Sequence, residues 1–163
     1  MNQIETNKIK AGLTAIGSAV LSWLGVLAVP VLLLVGSNIV DYITGILAAK
    51  YREESISSYK GIRGIIKKIG MWILVLIGAW ADILIQYSME YGGLKFEWPF
   101  VVAIVVSIWL VVNELISILE NLQDIGVYIP PFLLPLMKNI KKKVEDKVTI
   151  TEVAGDEAES TGD

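Results

Sequence analysis

Thirty consecutive residues, 11–40, contain no Asp, Glu, Lys or Arg, and this run constrains the fold more than any other feature. A helix that crosses a bilayer core needs about 20 apolar residues, so the run exceeds one crossing. Two further stretches have crossing length and one acid each: residues 69–88 contain Asp82, and residues 99–119 contain Glu114. Because 54% of the chain is hydrophobic and only 19% is charged, little amphipathic surface remains for water. The sequence therefore predicts an all-α integral membrane protein.

The basic residues between these stretches predict how the chain crosses the membrane. Residues 50–68 carry six Lys or Arg, whereas residues 89–98 carry one. Short loops rich in Lys and Arg stay on the cytoplasmic side, so residues 50–68 are expected to form a basic cytoplasmic loop. Three crossings follow: 31–49 inward, 69–88 outward and 99–119 inward. The residues that we assign to topology and to contact with anionic lipids are Lys60, Arg63, Lys67, Lys68, Lys138, Lys141, Lys142 and Lys143.

The N-terminal segment, residues 1–30, allows more than one interpretation. Residues 11–29 have a helical pattern with a stripe of small side chains suited to close packing. We interpret this segment as a helix that lies along the outer surface or re-enters the membrane. The alternative is a fourth crossing, with Lys8 and Lys10 inside the cell. A signal peptide is a third interpretation, for which residues 26–28 would be a poor cleavage site.

Two different segments follow the last crossing. Pro130 and Pro131 break the helix, and apolar residues then recur at helical spacing with lysines on the other faces. We expect residues 120–148 to be cytoplasmic and to contain a basic amphipathic helix that lies on the anionic inner leaflet. Residues 149–163 are rich in acids, Gly, Ser and Thr, and they predict a disordered acidic tail.

Polar residues within the crossings form one seam on each helix. An embedded carboxylate costs about 2.5 to 3.5 kcal/mol near a span centre, so such residues normally face a bundle interior or water. No Lys or Arg is expected to be embedded with the acids. We interpret the seams as surfaces that pair between subunits around water, and helix packing inside a monomeric bundle is the alternative. The seam residues are Asn38, Asp41, Gly45, Asp82, Gln86, Asn113, Glu114, Ser117, Glu120 and Asn121.

Composition argues against catalysis. The chain has no Cys and no His, so it lacks a thiolate nucleophile, an imidazole base and the usual ligands of zinc. We therefore expect no enzyme, no cofactor and no metal. The basic loop 50–68 is predicted to turn at its serines and then to be helical, and its glycines lack the spacing of a phosphate loop. We also expect no nucleic-acid partner, because the basic residues suffice to anchor the membrane orientation.

Four strings in the middle of the chain carry a family resemblance. They are DYITGILAA at residues 41–49, SSYKGIRGIIKK at 57–68, NELISILEN at 113–121 and GVYIP at 126–130. Together they resemble the phage holins of the toxin secretion and phage lysis type, found in phages and toxin loci of Gram-positive bacteria. The resemblance runs in order from about residue 31 to about residue 144.

The resemblance implies a small protein of the bacterial cytoplasmic membrane that associates with itself and opens holes. An endolysin or a large toxin would pass through these holes as a passenger. Alternatives are a small cation channel or transporter and an accessory subunit that anchors a partner. The positions that the resemblance implies for oligomer or pore contacts are Asp41, Gly45, Asn113, Glu114, Ser117, Glu120 and Asn121.

Overall fold

The computed structural model describes residues 3–53 and 58–160, and all regular structure within these ranges is helical. A short 3₁₀ turn, Gly25–Leu27, joins the first two of five α-helices. The predicted all-α class is therefore confirmed. The helices are α1 (Gln3–Leu24), α2 (Ala28–Tyr51), α3 (Ser58–Tyr91), α4 (Val101–Asp124) and α5 (Leu133–Ser160).

Three helical segments are long and apolar enough to cross a membrane: Gly25–Tyr51, Gly61–Tyr91 and Val101–Asp124. They coincide with the three predicted crossings and extend beyond most of their ends. At 1.5 Å per residue the shortest, of 24 residues, is about 36 Å long, which exceeds a bilayer core of about 30 Å. Each of the three predicted crossings therefore corresponds to one candidate span in the structure.

Most of the loop predicted at residues 50–68 is helix. α2 continues to Tyr51, and α3 begins at Ser58, where the sequence predicts that a turn gives way to a helix. Lys and Arg favour a helix nearly as well as Ala, so the basic residues do not end α3. Residues 54–57 lie outside the described residues. The third helix of the chain is consequently 34 residues long and carries residues of the expected loop into the bundle.

Helix α4 is the centre of the bundle. α2, α3 and α5 each pack against α4, whereas α2 and α3 make little direct contact with each other. One face of α4 is buried at helical spacing, and Ala103, Ser107, Leu110 and Glu114 are at most 3% exposed. Many of the exposed side chains on the three candidate spans are large and apolar, as a lipid-facing surface requires.

Helices α3 and α4 approach closely at Gly78. A Cβ atom at this position would lie 3.0 Å from Ala103 Cα and 3.2 Å from Ala103 N. Both neighbours are backbone atoms, which cannot rotate away as a side chain can. Glycine therefore sets the distance between the two helices, as small residues commonly do in membrane bundles.

We expect Gly78→Ala to push α3 away from α4 and to destabilise the bundle by about 1 to 3 kcal/mol. The measurement is the melting temperature of the protein in detergent. Gly64→Ala is the matched control on the same helix, because nothing lies within 4 Å of a Cβ atom there. Equal melting temperatures for the two variants would contradict the close approach.

Helix α1 stands apart from the other helices. It makes few contacts with α2, and its described side chains are mostly exposed. No neighbouring atom lies within 4 Å of a Cβ atom built at Gly12 or Gly17. Gly25 has φ +51°, which glycine adopts without a Cβ clash, where the chain turns from α1 toward α2. α1 is not among the three candidate spans. Its predicted place on the outer surface, or as a re-entrant or crossing helix, stays a prediction.

Helix α5 runs antiparallel along α4. Lys138 pairs with Glu120 at 3.7 Å, and Trp109, which is nearer the start of α4, donates a hydrogen bond to Glu145 at 2.8 Å. Lys141 lies over the Trp109 ring, 5.4 Å from its centre. The sequence predicts that this helix lies on the inner leaflet, whereas in the structure it packs on the bundle. The correction has a physical reason: an aromatic ring and a carboxylate on α4 give the lysines partners.

The backbone of α5 also continues through most of the predicted acidic tail. It is helical to Ser160, whereas the composition predicts disorder from residue 149. Glu and Ala, which favour helices, occupy five of the eight positions 152–159. The correction concerns residues 149–160, and residues 161–163 lie outside the described part of the chain.

Candidate functional site

Three charged residues from different helices meet inside the bundle: Asp41 of α2, Lys68 of α3 and Glu114 of α4. Each lies ten residues from the same end of the bundle, where α2 and α4 finish and α3 begins. We call this end the basic end. Ten residues of helix correspond to about 15 Å, so the three side chains share one depth.

Lys68 is the centre of this cluster. Its Nζ donates to Asp41 Oδ2 at 2.9 Å and to Glu114 Oε2, and Asn38 Oδ1 lies 3.4 Å away. The Glu114 side chain is 3% exposed and the Lys68 side chain 16%. The expectation that no Lys or Arg is embedded with the acids is therefore wrong. Lys68, which we assigned to topology, is the partner of two carboxylates. We call Asp41, Lys68 and Glu114 the charge triad.

Amide and hydroxyl groups extend the charge triad toward the basic end. Asn121 Nδ2 donates to Asp41 Oδ1 and to Thr44 Oγ1, both at 3.3 Å. A Cβ atom on Gly45 would lie 3.7 Å from Asn121 Nδ2, which places Gly45 beside the same network. The structure thus brings together five predicted seam residues, which are Asn38, Asp41, Gly45, Glu114 and Asn121.

The charge triad makes three membrane helices depend on one another. A single charge in hydrocarbon is costly, but a Lys with two carboxylates offsets much of that cost through charge-assisted hydrogen bonds. Replacing a whole buried ion cluster by apolar residues is often neutral, whereas removing one member leaves an uncompensated charge. The triad therefore specifies which helix faces pair more than it adds stability.

We expect Lys68→Met to destabilise the bundle by about 3 kcal/mol or more, because Asp41 and Glu114 are left buried without their cation. Arg63→Met is the matched control, since Arg63 is a basic residue of the same helix, is exposed and does not line the space beside Glu114. The readouts are the melting temperature and the monodisperse fraction in detergent.

Adding Glu114→Gln to Lys68→Met should recover part of the lost stability, because only one acid then lacks a partner. A Lys68→Met protein as stable as the Arg63→Met protein would contradict the assigned role of Lys68.

Asp82 lies far from the basic end, toward the end of α3, and has a different structural role. Its side chain is 2% exposed. Oδ1 accepts from Val102 N at 2.9 Å and from Trp98 Nε1, and Oδ2 accepts from Ala103 N at 2.8 Å. The first amides of a helix have no partner within it and carry partial positive charge. Asp82 of α3 therefore caps the start of α4.

Gln86 continues this contact along α3. Its Oε1 accepts from Trp98 N at 2.7 Å, and its Nε2 donates to Glu90 Oε1 at 2.7 Å. Asp82 and Gln86 were predicted as seam residues with the others, but they contact the start of α4 and the segment before it, far along α3 from the charge triad. A pore role for these two residues stays a prediction.

We expect Asp82→Leu to lower the stability by about 2 kcal/mol or more, because two amides at the start of α4, one of them buried, lose their acceptor. Asp82→Asn keeps one side-chain oxygen and should lose less. Melting temperatures of the two variants in detergent test this order. Equal losses, or none, would show that the carboxylate does not cap α4.

The remaining seam residues, Asn113, Ser117 and Glu120, line a cavity of about 600 Å³ between α3 and α4. Lys67 and Glu114 line the same cavity, so it lies next to the charge triad. Its remaining lining is largely apolar, but the polar side chains on one side offer partners for water beside the charge triad. The seam of α4 thus has one part inside the bundle and one part along this cavity.

The residues predicted to contact lipid divide into two sets. Arg63, Lys67, Lys142 and Lys143 are exposed, whereas the side chain of Lys60 lies outside the described residues. Lys68, Lys138 and Lys141 contact carboxylates or an aromatic ring within the chain. Contact with anionic lipids therefore stays a prediction.

Helical spacing contains a signal that identifies Lys68 as an inward residue. From the seam residue Asp82, a stripe of residues continues toward the start of α3 at intervals of three or four residues and reaches Lys68. Its members are at least partly buried against the bundle. Helical spacing does not identify Trp98 as a partner of Asp82, because Trp98 lies in an irregular segment. The residues of the stripe are Lys68, Met71, Val75, Gly78 and Asp82.

A helical bundle with three candidate spans and acidic and basic side chains paired between them is a small integral membrane protein. The chain belongs to the bacteriophage holin family, whose model matches residues 18–142. That range includes all three candidate spans, the charge triad and the first part of α5. The family is one of non-enzymatic membrane proteins.

Relatives with similar sequences come from species of Clostridium and Listeria. The chain is 31% identical to the uncharacterized protein CPE0383 of Clostridium perfringens, over 83% of this chain and 92% of that protein. It is 30% identical to an uncharacterized 14.9 kDa protein in the nagH 3' region of the same species, over 84% and 96%. It is 32% identical to the uncharacterized protein Lin0175 of Listeria innocua, over 85% and 91%. No solved structure matches the chain.

Proposed function

We propose that this protein is a holin that associates with itself in the bacterial cytoplasmic membrane and forms pores. The pores release an endolysin, which lyses the host, or a large toxin. The family match over residues 18–142 supports the holin role. The excess of Lys and Arg at the basic end, where α4 ends and α5 begins, assigns that end to the cytoplasm. The exposed basic residues are assigned to contact with anionic lipids.

The charge triad is the observation that carries this proposal. Within one chain, Lys68 satisfies both carboxylates, and many of the side chains that face outward are apolar. Such a bundle can reside in lipid as a single unit. A pore instead needs a polar surface toward water, and the embedded seam is a source of one. If the paired and pore arrangements differ by only a few kcal/mol, accumulation of protein shifts the balance by mass action.

A small cation channel is the second candidate. The charge triad has one Lys and two carboxylates, and the adjacent cavity is lined by Asn113 and Ser117. Acidic and amide groups of this kind line cation paths. Against this candidate, Lys68 occupies the position between the acids where a mobile cation would bind.

Expression in a bacterial host separates these candidates. Cells would carry a cytosolic reporter enzyme and a muralytic enzyme without an export signal. We expect normal growth for a delay, then abrupt arrest with release of the reporter and lysis. An unrelated membrane protein of three spans, produced at equal level, controls for toxicity. Leakage of small ions from the start of expression, without reporter release, would contradict the holin proposal and favour a channel.

The same assay addresses an accessory anchoring role. A chain that ends at residue 148 lacks the acidic part of α5 but keeps the segment matched by the family model. Arrest and release by this shortened chain, with at most altered timing, supports an autonomous pore. Loss of release in the shortened chain would favour an anchor that acts through its C-terminus.

A further inference from the structure

Helix α5 carries charged side chains along the middle of a candidate span. Trp109 of α4 donates a hydrogen bond to Glu145 at 2.8 Å, and Lys141 lies 5.4 Å from the centre of the Trp109 ring. Trp109 is eight residues from the start of α4 and fifteen from its end. It therefore lies about 12 Å from one end of the span and about 22 Å from the other, within a bilayer core of about 30 Å. The charged part of α5 is thus level with the hydrocarbon when α4 spans the membrane.

This part of α5 has one apolar side and one charged side. Residues 138–147 contain two apolar residues, Ile140 and Val144, and both are partly buried. Lys142 and Asp146 each follow one of them by two positions, which corresponds to a rotation of about 200° around the helix. Both are exposed, and so is Lys143. We call Lys142, Lys143 and Asp146 the outer face of α5.

The outer face cannot meet hydrocarbon at this depth. Charged side chains at bilayer depth normally face a bundle interior or water. The ion pairs and ring contact that join α5 to α4 involve Lys138, Lys141 and Glu145, so they leave the outer face exposed. α5 is also not among the three candidate spans. In a membrane, α5 can therefore hold this position only where water lies along its outer face.

A pore provides water at that depth. We propose that α5 lines the opening of the assembled protein, with its apolar side toward α4 and its outer face toward the water. This inference rests on the proposed function, because the opening exists only if the protein forms pores. In this arrangement Lys142 and Lys143 contact water in the opening instead of lipid headgroups.

The lining continues from α5 onto α4. Trp109 and Glu120, which both contact α5, also line the cavity of about 600 Å³ together with the seam residues Asn113 and Ser117. The part of the α4 seam that lies along this cavity is therefore next to α5. α5 thus adds a charged surface to the polar one that the seam provides.

The competing position for α5 is the anionic inner leaflet, which a basic amphipathic helix also suits. Ile140 and Val144 would then face lipid, and the outer face would still meet water. Exposure to water alone consequently does not separate the two positions. The effect of the outer face on current through the pore does separate them.

Thiol modification of open pores tests the lining, and the chain has no Cys to interfere. Purified Lys142→Cys protein would be reconstituted in planar bilayers of phosphatidylethanolamine and phosphatidylglycerol. A long polyethylene glycol chain with a maleimide group would be added once current flows. We expect the current to fall at least about twofold, because the polymer occupies the path that the ions take. Asp146→Cys, on the same face, should give the same result.

Tyr59→Cys is the matched control. Tyr59 is 75% exposed and precedes the candidate span of α3, which begins at Gly61. A gel shift verifies that the polymer is attached in each variant. Attachment at residue 59 should leave the current nearly unchanged. An unchanged current after attachment at both outer-face cysteines would place α5 outside the opening and overturn the inference.

A change in the polarity of the outer face gives an independent test in the expression assay. The leucine variant combines Lys142→Leu, Lys143→Leu and Asp146→Leu, and the amide variant combines Lys142→Gln, Lys143→Gln and Asp146→Asn. An apolar wall resists wetting, whereas amides bind water, so we expect at least about tenfold more reporter release from the amide variant at equal membrane content. Both variants lose the same charges. Equal release from the two would therefore overturn the lining role and favour charge-dependent contact with lipid.

The unsubstituted chain separates this inference from the proposed function. If it gives current and reporter release, but the polymer blocks neither outer-face variant, the lining role is rejected and the holin is kept. If the polymer blocks a pore that conducts small ions but releases no reporter, the lining role is kept and the holin is rejected. If the unsubstituted chain gives neither current nor release, both are rejected.

Discussion

The arrangement of the spans depends on one lysine side chain held between two carboxylates in the middle of an apolar bundle. Lys68 comes from the helix that runs opposite to the other two, and Asp41 and Glu114 come from those two. None of the three charges is tolerable in hydrocarbon alone, so each helix needs the other two in register. A shift by one residue, which rotates a helix by about 100°, would part the charges. The ion cluster therefore fixes rotation and depth together, which apolar packing between lipid-exposed helices does only weakly.

A second polar contact fixes the other end of the bundle. Asp82 binds the first amides of α4, and Gly78 lets the backbones of α3 and α4 approach one turn away. Both contacts act between the same two helices that Lys68 and Glu114 join. α3 and α4 are thus held by polar contacts at two depths. The polar contacts between α2 and α4, from Asn121 to Asp41 and Thr44 and from Arg52 to Asp124, all lie toward the basic end, while Leu34 packs in one core with Leu110. α2 and α3 make little direct contact with each other, so the open side of the bundle lies between them.

Sequence patterns predicted the large features of this fold because hydrocarbon imposes them. Apolar runs of span length, with few charges, predicted the three spanning helices. Four sequence strings predicted membership of the holin family. The partners of the acids were not predicted, because Lys68 was assigned to a loop, and a loop lysine cannot pair inside a bundle. The cap role of Asp82 was also missed: its contacts with the start of α4 are twenty residues away, and no local spacing reports such a contact. Composition likewise predicts disorder where α5 continues as a helix, since it counts apolar residues and ignores helix propensity.

The ionisable groups inside the spans are satisfied within one copy. Asp41, Glu114, Asp82 and Lys68 all have partners in the same chain, so they contribute to a bundle that is complete by itself. Exposing the charge triad to water would require the spans to part, because its three members come from three helices. Under the proposed function, opening would therefore break the same contacts that set the register of the closed bundle, and the closed form would be the resting state of a single copy.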